Sequence, residues 1–284
     1  MISIFLAIAS CFISNLFIRY TSEHYTYNVP FILLMSECVK MLICACVLRY
    51  INRKQPFKIR WGFIVNSFLY SVVNFLTYKI TFLIEPSVYS VLIQHKLLWV
   101  VVFSFILLKK TFSLQQYIAL IVVCAGCMLV KMSDVGGQIS PTSIFLIVLQ
   151  GVCSSLSSVW IEKMMKVGDR PEVSEDKSRQ KLYWFLSDSF QMYMFGIPIY
   201  VLGSLNHSGK VTIPEKFGII LVVIGVIQGL SLGAIFVYHS SIVRSLVAAV
   251  VIVLLAIEHN VYSIEIISGI VLVVLGVIGW VYKK

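Results

Sequence analysis

Two cations stand inside long apolar runs of this chain. Lys96 lies in VYSVLIQHKLLWVVVFSFILL, and Arg244 lies in VYHSSIVRSLVAAVVIVLLAI. A cation in hydrocarbon costs at least ~2.5 kcal/mol, so it is retained where it finds water, a partner or an anionic substrate. Arginine grips phosphate with a planar two-pronged fork, and lysine meets it as a point charge. Both residues therefore point toward an anion carrier. A plainer reading stands beside each. Lys96 can pair with a carboxylate on a neighbouring helix, such as Glu37. Arg244, a few residues inside its span, can snorkel to the headgroups.

Glu37 and Lys40 lie mid-run in LLMSECVKMLIC. Three residues apart on a helix, they share a face and can pair. Such a pair either neutralises itself and stabilises packing, or opens to handle substrate charge or a proton. Tyr70, Tyr89 and Tyr193 lie deep in separate apolar runs. Each can pack in the core with its hydroxyl hydrogen-bonded, or offer its ring to a nucleobase. The five histidines are scattered without HxxxH or HExxH spacing, and the chain has no Walker loop or acidic metal–diphosphate pair. No enzyme, metal site or cofactor is expected.

The elements that must position these residues are membrane helices. Of the 284 residues, 59% are hydrophobic and 13% charged, with a mean hydropathy of +0.91. Soluble domains are about half apolar and about one-quarter charged. The net charge of +10 does not imply a nucleic-acid polymer as partner, because cytosolic loops of membrane proteins collect Lys and Arg. The chain shows no basic n-region and no convincing cleavage site for a signal peptide. A span needs about 20 apolar residues. Ten are expected: 2–19, 30–48, 61–80, 86–108, 114–131, 142–164, 181–204, 216–238, 241–258 and 262–281. Basic residues cluster in 49–60, at Lys109-Lys110, in 163–181 and at Lys283-Lys284. All of these fall on one side, which places both termini in the cytosol. The sequon at Asn206 falls on the opposite side. Cys124-Ala-Gly-Cys127 reads as helix packing rather than redox or zinc chemistry, because it lies mid-span beside a glycine.

An internal repeat runs at an offset of 150. FSLQQYIALIVVCAGCMLV and YSIEIISGIVLVVLGVIGW align with Ser113 on Ser263 and Gly126 on Gly276. Spans four and five thus pair with nine and ten. The odd number of spans between copies inverts the second, an arrangement that puts substrate at mid-bilayer. The repeat sets Arg244 opposite Gln94 rather than Lys96. The resulting fold class is an all-α membrane protein of ten transmembrane helices in a 5+5 inverted repeat. Residues 1–131 form the first repeat, 132–165 hold span six opening the second, 166–180 are a cytosolic linker, and 181–284 complete the second.

These residues resemble the nucleotide-sugar transporters of the CMP-sialic acid, UDP-galactose and UDP-N-acetylglucosamine group, within the drug/metabolite transporter superfamily. The resemblance runs almost end to end. Arg19-Tyr20-Thr21 is similar to the family's RY(T/S), and Glu37-x-x-Lys40 to its E-V-x-K. Tyr70 and Asn74 fit Y-x-x-x-N. Tyr89, Gln94 and Lys96 fit YQVxxQxK, followed by Lys110-Thr111-Phe112-Ser113 at the R-x-L-S turn. SSLSSVWIEKMMK, from Ser154 to Lys166, resembles the span-six motif. Gln191 and Tyr193 fit Q-x-Y. Tyr238 and Arg244 fall at K-Y-x-D-N-I-x-K.

The resemblance implies residence in the Golgi or ER membrane. It implies exchange of a cytosolic nucleotide sugar for a lumenal nucleoside monophosphate, with phosphate contacts from Lys96 and the span-nine base. The chain departs from the pattern at span nine. Ser240-Ser241 replace Asp-Asn, the base is Arg244 rather than Lys, and Ser245 replaces Gly. Glu85 replaces the Asp entering span four, and Ser90 the Gln after Tyr89. The altered end keeps two alternatives open: a carrier of another organic anion such as a sugar phosphate, and a transport-inactive scaffold. Association as a homodimer or with glycosyltransferases accompanies these expectations.

Overall fold

The computed structural model describes residues 2–51, 59–81, 83–84, 89, 92–132, 140–166, 177–205, 213–258 and 264–281. The Asn206 sequon, most of the 166–180 linker, and Glu85 and Ser90 lie outside them. Among the described residues there is no strand. The helices are α1 (Ile2–His24), α2 (Val29–Ile51), α3 (Gly62–Thr81), α4 (Lys96–Leu108), α5 (Leu114–Met132), α6 (Pro141–Lys166), α7 (Lys177–Leu205), α8 (Glu215–Tyr238), α9 (Ser241–Glu258) and α10 (Ile264–Val281). A 3-10 turn, Ile93–His95, leads directly into α4.

Helices are the form a long apolar run takes in hydrocarbon, because each backbone polar group is then satisfied within the segment. α2, α6 and Glu215–Phe236 of α8 are each long and apolar enough to cross a bilayer. Polarity is distributed inside out, as lipid demands. Phe5, Phe75 and Leu202 are each about two-thirds exposed or more, while Glu37, Glu162 and Asp188 are buried. The protein is an all-α membrane protein.

Local signals start the helices. Asn28 Oδ1 accepts the Phe31 N–H at 3.1 Å and caps α2. At α5, Ser113 and Gln116 cap each other: Gln116 Oε1 accepts the Ser113 N–H at 3.0 Å, and Ser113 Oγ accepts the Gln116 N–H at 3.4 Å. This is the reciprocal box of Ser-x-x-Gln. Lys109 ends α4 in the left-handed conformation, φ 52°.

The chain forms two compact units. The first comprises Met1–Ser71 and Ile161–Ser240, and the second Val72–Trp160 and Ser241–Lys284. In the first unit α2 packs on α7 through Cys44, Phe185, Leu186 and Tyr193. There α1 packs on α8, where Ser14 Oγ donates to Gln228 Oε1 at 3.0 Å.

In the second unit α5 and α10 cross at close range. A Cβ on Gly126 would lie 2.7 Å from the Gly269 carbonyl and 2.8 Å from Val273. A Cβ on Gly276 would lie 2.8 Å from the Ala119 carbonyl and 2.6 Å from Val123. Small residues permit this approach, which dispersion rather than hydrophobicity rewards in lipid. Leu97, Val100, Leu120, Val159, Leu246 and Val273 complete this unit's core.

Gly126→Val is expected to destabilise the protein by about 1–3 kcal/mol or more, the usual cost of overpacking. Gly218→Ala, where a Cβ meets nothing within 4 Å, is expected to be neutral. Thermal unfolding of the two variants in detergent checks the contrast.

Candidate functional site

The second unit brings the two sequence-predicted cations to a common element. Ser155 Oγ on α6 donates to the Lys96 carbonyl at 2.8 Å. One turn further along α6, Ser158 Oγ lies 3.4 Å from Arg244 Nη1, which donates to it. Both cationic residues are half-buried. Gln94 is buried in the 3-10 turn, and its carbonyl lies 3.7 Å from Cys124 Sγ on α5. Ser241 is fully buried at the start of α9, with its carbonyl accepting Ser245 Oγ at 3.1 Å, while Ser240 is half-buried.

The Tyr89 hydroxyl is not idle. Gln150 Nε2 donates to it at 2.7 Å and also to Thr77 Oγ1 at 2.5 Å. Gln150 and Thr77 were not singled out in the sequence. A glutamine inside the apolar run IFLIVLQGVC was the signal, because a buried amide demands partners. Tyr70 and Asn74 sit half-buried on α3, four residues apart, on either side of the boundary between the units.

The first unit holds the remaining predicted residues. Lys40 Nζ meets Glu37 Oε1 at 2.5 Å, with both side chains 8% exposed. The Glu37 carboxylate is thus engaged on its own helix. The Lys40 ammonium also sits 4.7 Å from the centroid of the buried Tyr193 ring, a cation–π contact. A Cβ on Gly229 of α8 would stand 3.0 Å from Lys40 Nζ, so the glycine leaves room for the lysine. Gln191 Oε1 accepts the Arg60 N–H at 2.6 Å, just before α3.

Two further charged contacts belong to this unit, and sequence reasoning missed both. Arg60 Nη1 pairs with the buried Asp188 at 3.1 Å. Lys166 Nζ pairs with the fully buried Glu162 at 3.0 Å and also donates to the His239 carbonyl beyond α8. The His239 ring meets Ser3 Oγ at 3.1 Å. Burial, then nearby positive charge including Lys166, holds the imidazole below its ordinary value. Arg60 entered the sequence reading as a basic residue on the cytosolic side and Lys166 also as the end of the span-six motif, but neither was paired there with its acid. Among the described residues no group of His, Cys, Asp or Glu could hold a metal.

This geometry can be set beside known proteins. No protein-family model matches the chain. Over 260 residues, 80% of this chain, it is 25% identical to the "Probable UDP-sugar transporter protein SLC35A4" of Homo sapiens and 27% identical to that of Bos taurus. It is 29% identical over 145 residues to the "UDP-galactose transporter senju" of Drosophila melanogaster. The chain is thus similar to proteins named as UDP-sugar and UDP-galactose transporters. It spans 75% of the length of the mammalian relatives and 37% of the fly protein. One solved crystal structure shares the fold over 99% of this chain and 98% of its own, with a TM-score of 0.72 at 14% identity.

Removing one member of a buried ion pair strands the other, which costs about 3–5 kcal/mol. Glu37→Gln is therefore expected to lower stability by about that amount, and the joint Glu37→Met, Lys40→Met replacement to recover most of it. Denaturation in detergent measures both. A Glu37→Gln variant as stable as wild type rules out a packing role for the pair.

Proposed function

We propose that this protein is a nucleotide-sugar antiporter of the Golgi or ER membrane, exchanging a cytosolic nucleotide sugar for a lumenal nucleoside monophosphate. The observation that carries this reading is the anchoring of Lys96 and Arg244 to Ser155 and Ser158, one turn apart on α6. With the Lys96 backbone and the Arg244 guanidinium held one turn apart on one helix, the two side chains suit the two phosphates of a nucleotide sugar, Arg244 as the fork and Lys96 as the point charge. Bound phosphate offsets the desolvation of both. The names of the relatives support the substrate class. Gln94, Tyr89, Tyr70, Asn74, Gln191, Tyr193, Ser240 and Ser241 are the further residues we assign to substrate recognition, directly or by support. Glu37 and Lys40 are the charge pair.

The reading includes a 5+5 inverted repeat with cytosolic termini. The α5–α10 crossing supports it. Adding the repeat offset of 150 to Ala119, Val123 and Gly126 gives Gly269, Val273 and Gly276. The contacts of Gly126 with Gly269 and Val273 then become those of Gly276 with Ala119 and Val123, and both sets are present. The two helices run antiparallel, as inversion requires.

Exchange follows from the charges. A ligand moves an equilibrium only by binding its states differently, and phosphate on either side is what lets the cationic site cross. Vesicles preloaded with UMP, CMP or GMP are expected to take up a radiolabelled nucleotide sugar faster than empty ones. If no monophosphate accelerates uptake of any nucleotide sugar, the antiport reading fails. Lys96→Ala is expected to weaken binding about ten- to hundredfold, from the roughly 1.5–3 kcal/mol of a charged hydrogen bond, with the fold intact. Arg244→Lys is expected to be mild. Lys96→Ala protein that binds nucleotide normally yet melts early makes Lys96 a structural residue instead.

A further inference from the structure

One stripe of α6 holds the segment that carries Lys96. Val148, Gly151, Ser155 and Ser158 follow at steps of three, four and three residues, which keeps them on one helical face. Ser155 and Ser158 hold the Lys96 carbonyl and the Arg244 guanidinium. The other two hold His95, the residue before Lys96. Its Nε2 lies 3.4 Å from the Val148 carbonyl. Its ring lies over Gly151, where an added Cβ would come 2.5 Å from Cε1 and closer still to Nε2. The notch exists because position 151 has no side chain.

The ring also acts on its own backbone. His95 Nδ1 lies 2.6 Å from the Leu92 carbonyl. In a regular α-helix that carbonyl would take the Lys96 N–H. Here the Lys96 N–H turns to the Ile93 carbonyl, and Ile93–His95 is a 3-10 turn. Three residues at 3.0 per turn rather than 3.6 rotate the next side chain by roughly 60°. The direction in which Lys96 leaves the helix thus depends on where the His95 ring is seated.

We propose that His95, seated in the Gly151 notch, is the positioning residue of the anion site. It sets the backbone from which Lys96 projects, and the α6 stripe holds that backbone in register with Arg244. The inference rests on the reading above, in which Lys96 and Arg244 meet phosphate.

The test uses the full chain in vesicles loaded with UMP, with UDP-galactose as external probe. Gly151→Ala and His95→Ala are each expected to raise KM about tenfold or more, since misplacement of about 1 Å can cost up to a hundredfold. The maximal rate is expected to hold within about twofold, well inside that range. In the His95→Ala background, Gly151→Ala is expected to cost nothing further, because the ring it would strike is gone. His95→Asn keeps a short donor for the Leu92 carbonyl and is expected to recover most of the affinity. Gly203→Ala, whose Cβ would meet Pro30 at an ordinary 3.5 Å, is the control and is expected to behave as wild type. Additive effects of the two substitutions overturn the proposal. So does a lower melting temperature with unchanged KM, which makes the stripe a packing feature alone. If wild-type protein takes up no UDP-galactose against UMP, the series is run with nucleotide sugars matched to CMP and GMP; uptake with none of them removes the antiport reading and this inference with it. Uptake by wild type that Gly151→Ala leaves untouched removes only this inference.

Discussion

Hydrocarbon offers no hydrogen-bond partners, so every polar group that enters this protein must be answered from within it. That constraint organises the interior. Serine hydroxyls return to carbonyls of their own helix, as Ser71, Ser158 and Ser245 do. The amide of Gln150 joins a threonine and a tyrosine. Each buried acid discussed above has its base: Glu37 with Lys40, Asp188 with Arg60, Glu162 with Lys166. In the second unit, serines of α6 meet the Lys96 carbonyl and the Arg244 guanidinium.

A serine satisfies hydrogen-bonding geometry and adds no charge. Ser155 engages the Lys96 backbone rather than its ammonium. Ser158 accepts from one guanidinium nitrogen of Arg244, a group with five N–H donors. Anchors of this kind fix the backbone of one residue and the guanidinium of the other.

Much of this was legible in the sequence, and the reason is the solvent. Apolar runs bounded by polar clusters have one stable form in a membrane, so most helix positions emerged within a few residues, although α1 runs on to His24 and α4 begins only at Lys96, behind a 3-10 turn. The Glu37–Lys40 pair was legible because it is local: three residues on one helix fix the distance. Arg60–Asp188 was not, because its members are 128 positions apart and nothing in either segment names the other. The 3-10 turn before Lys96 was also hidden. A histidine in an apolar run gives no sign that its ring will claim a carbonyl of its own helix. That outcome depends on a glycine on α6, a tertiary fact.

The two compact units draw on both halves of the chain, and this bears on how the protein is made. α1 packs on α8, α2 on α7, and α5 on α10. When synthesis has reached Met132, three helices stand in the membrane without the helices against which they will pack. Their small and polar faces, including Ser14 and Gly126, then have lipid or an insertion factor for company. Such long-range pairings delay folding until late in translation. The pairs also close in reverse order of synthesis in part, since α7 arrives for α2 before α8 arrives for α1. Assembly of this protein is thus a late event, completed when α10 closes on α5.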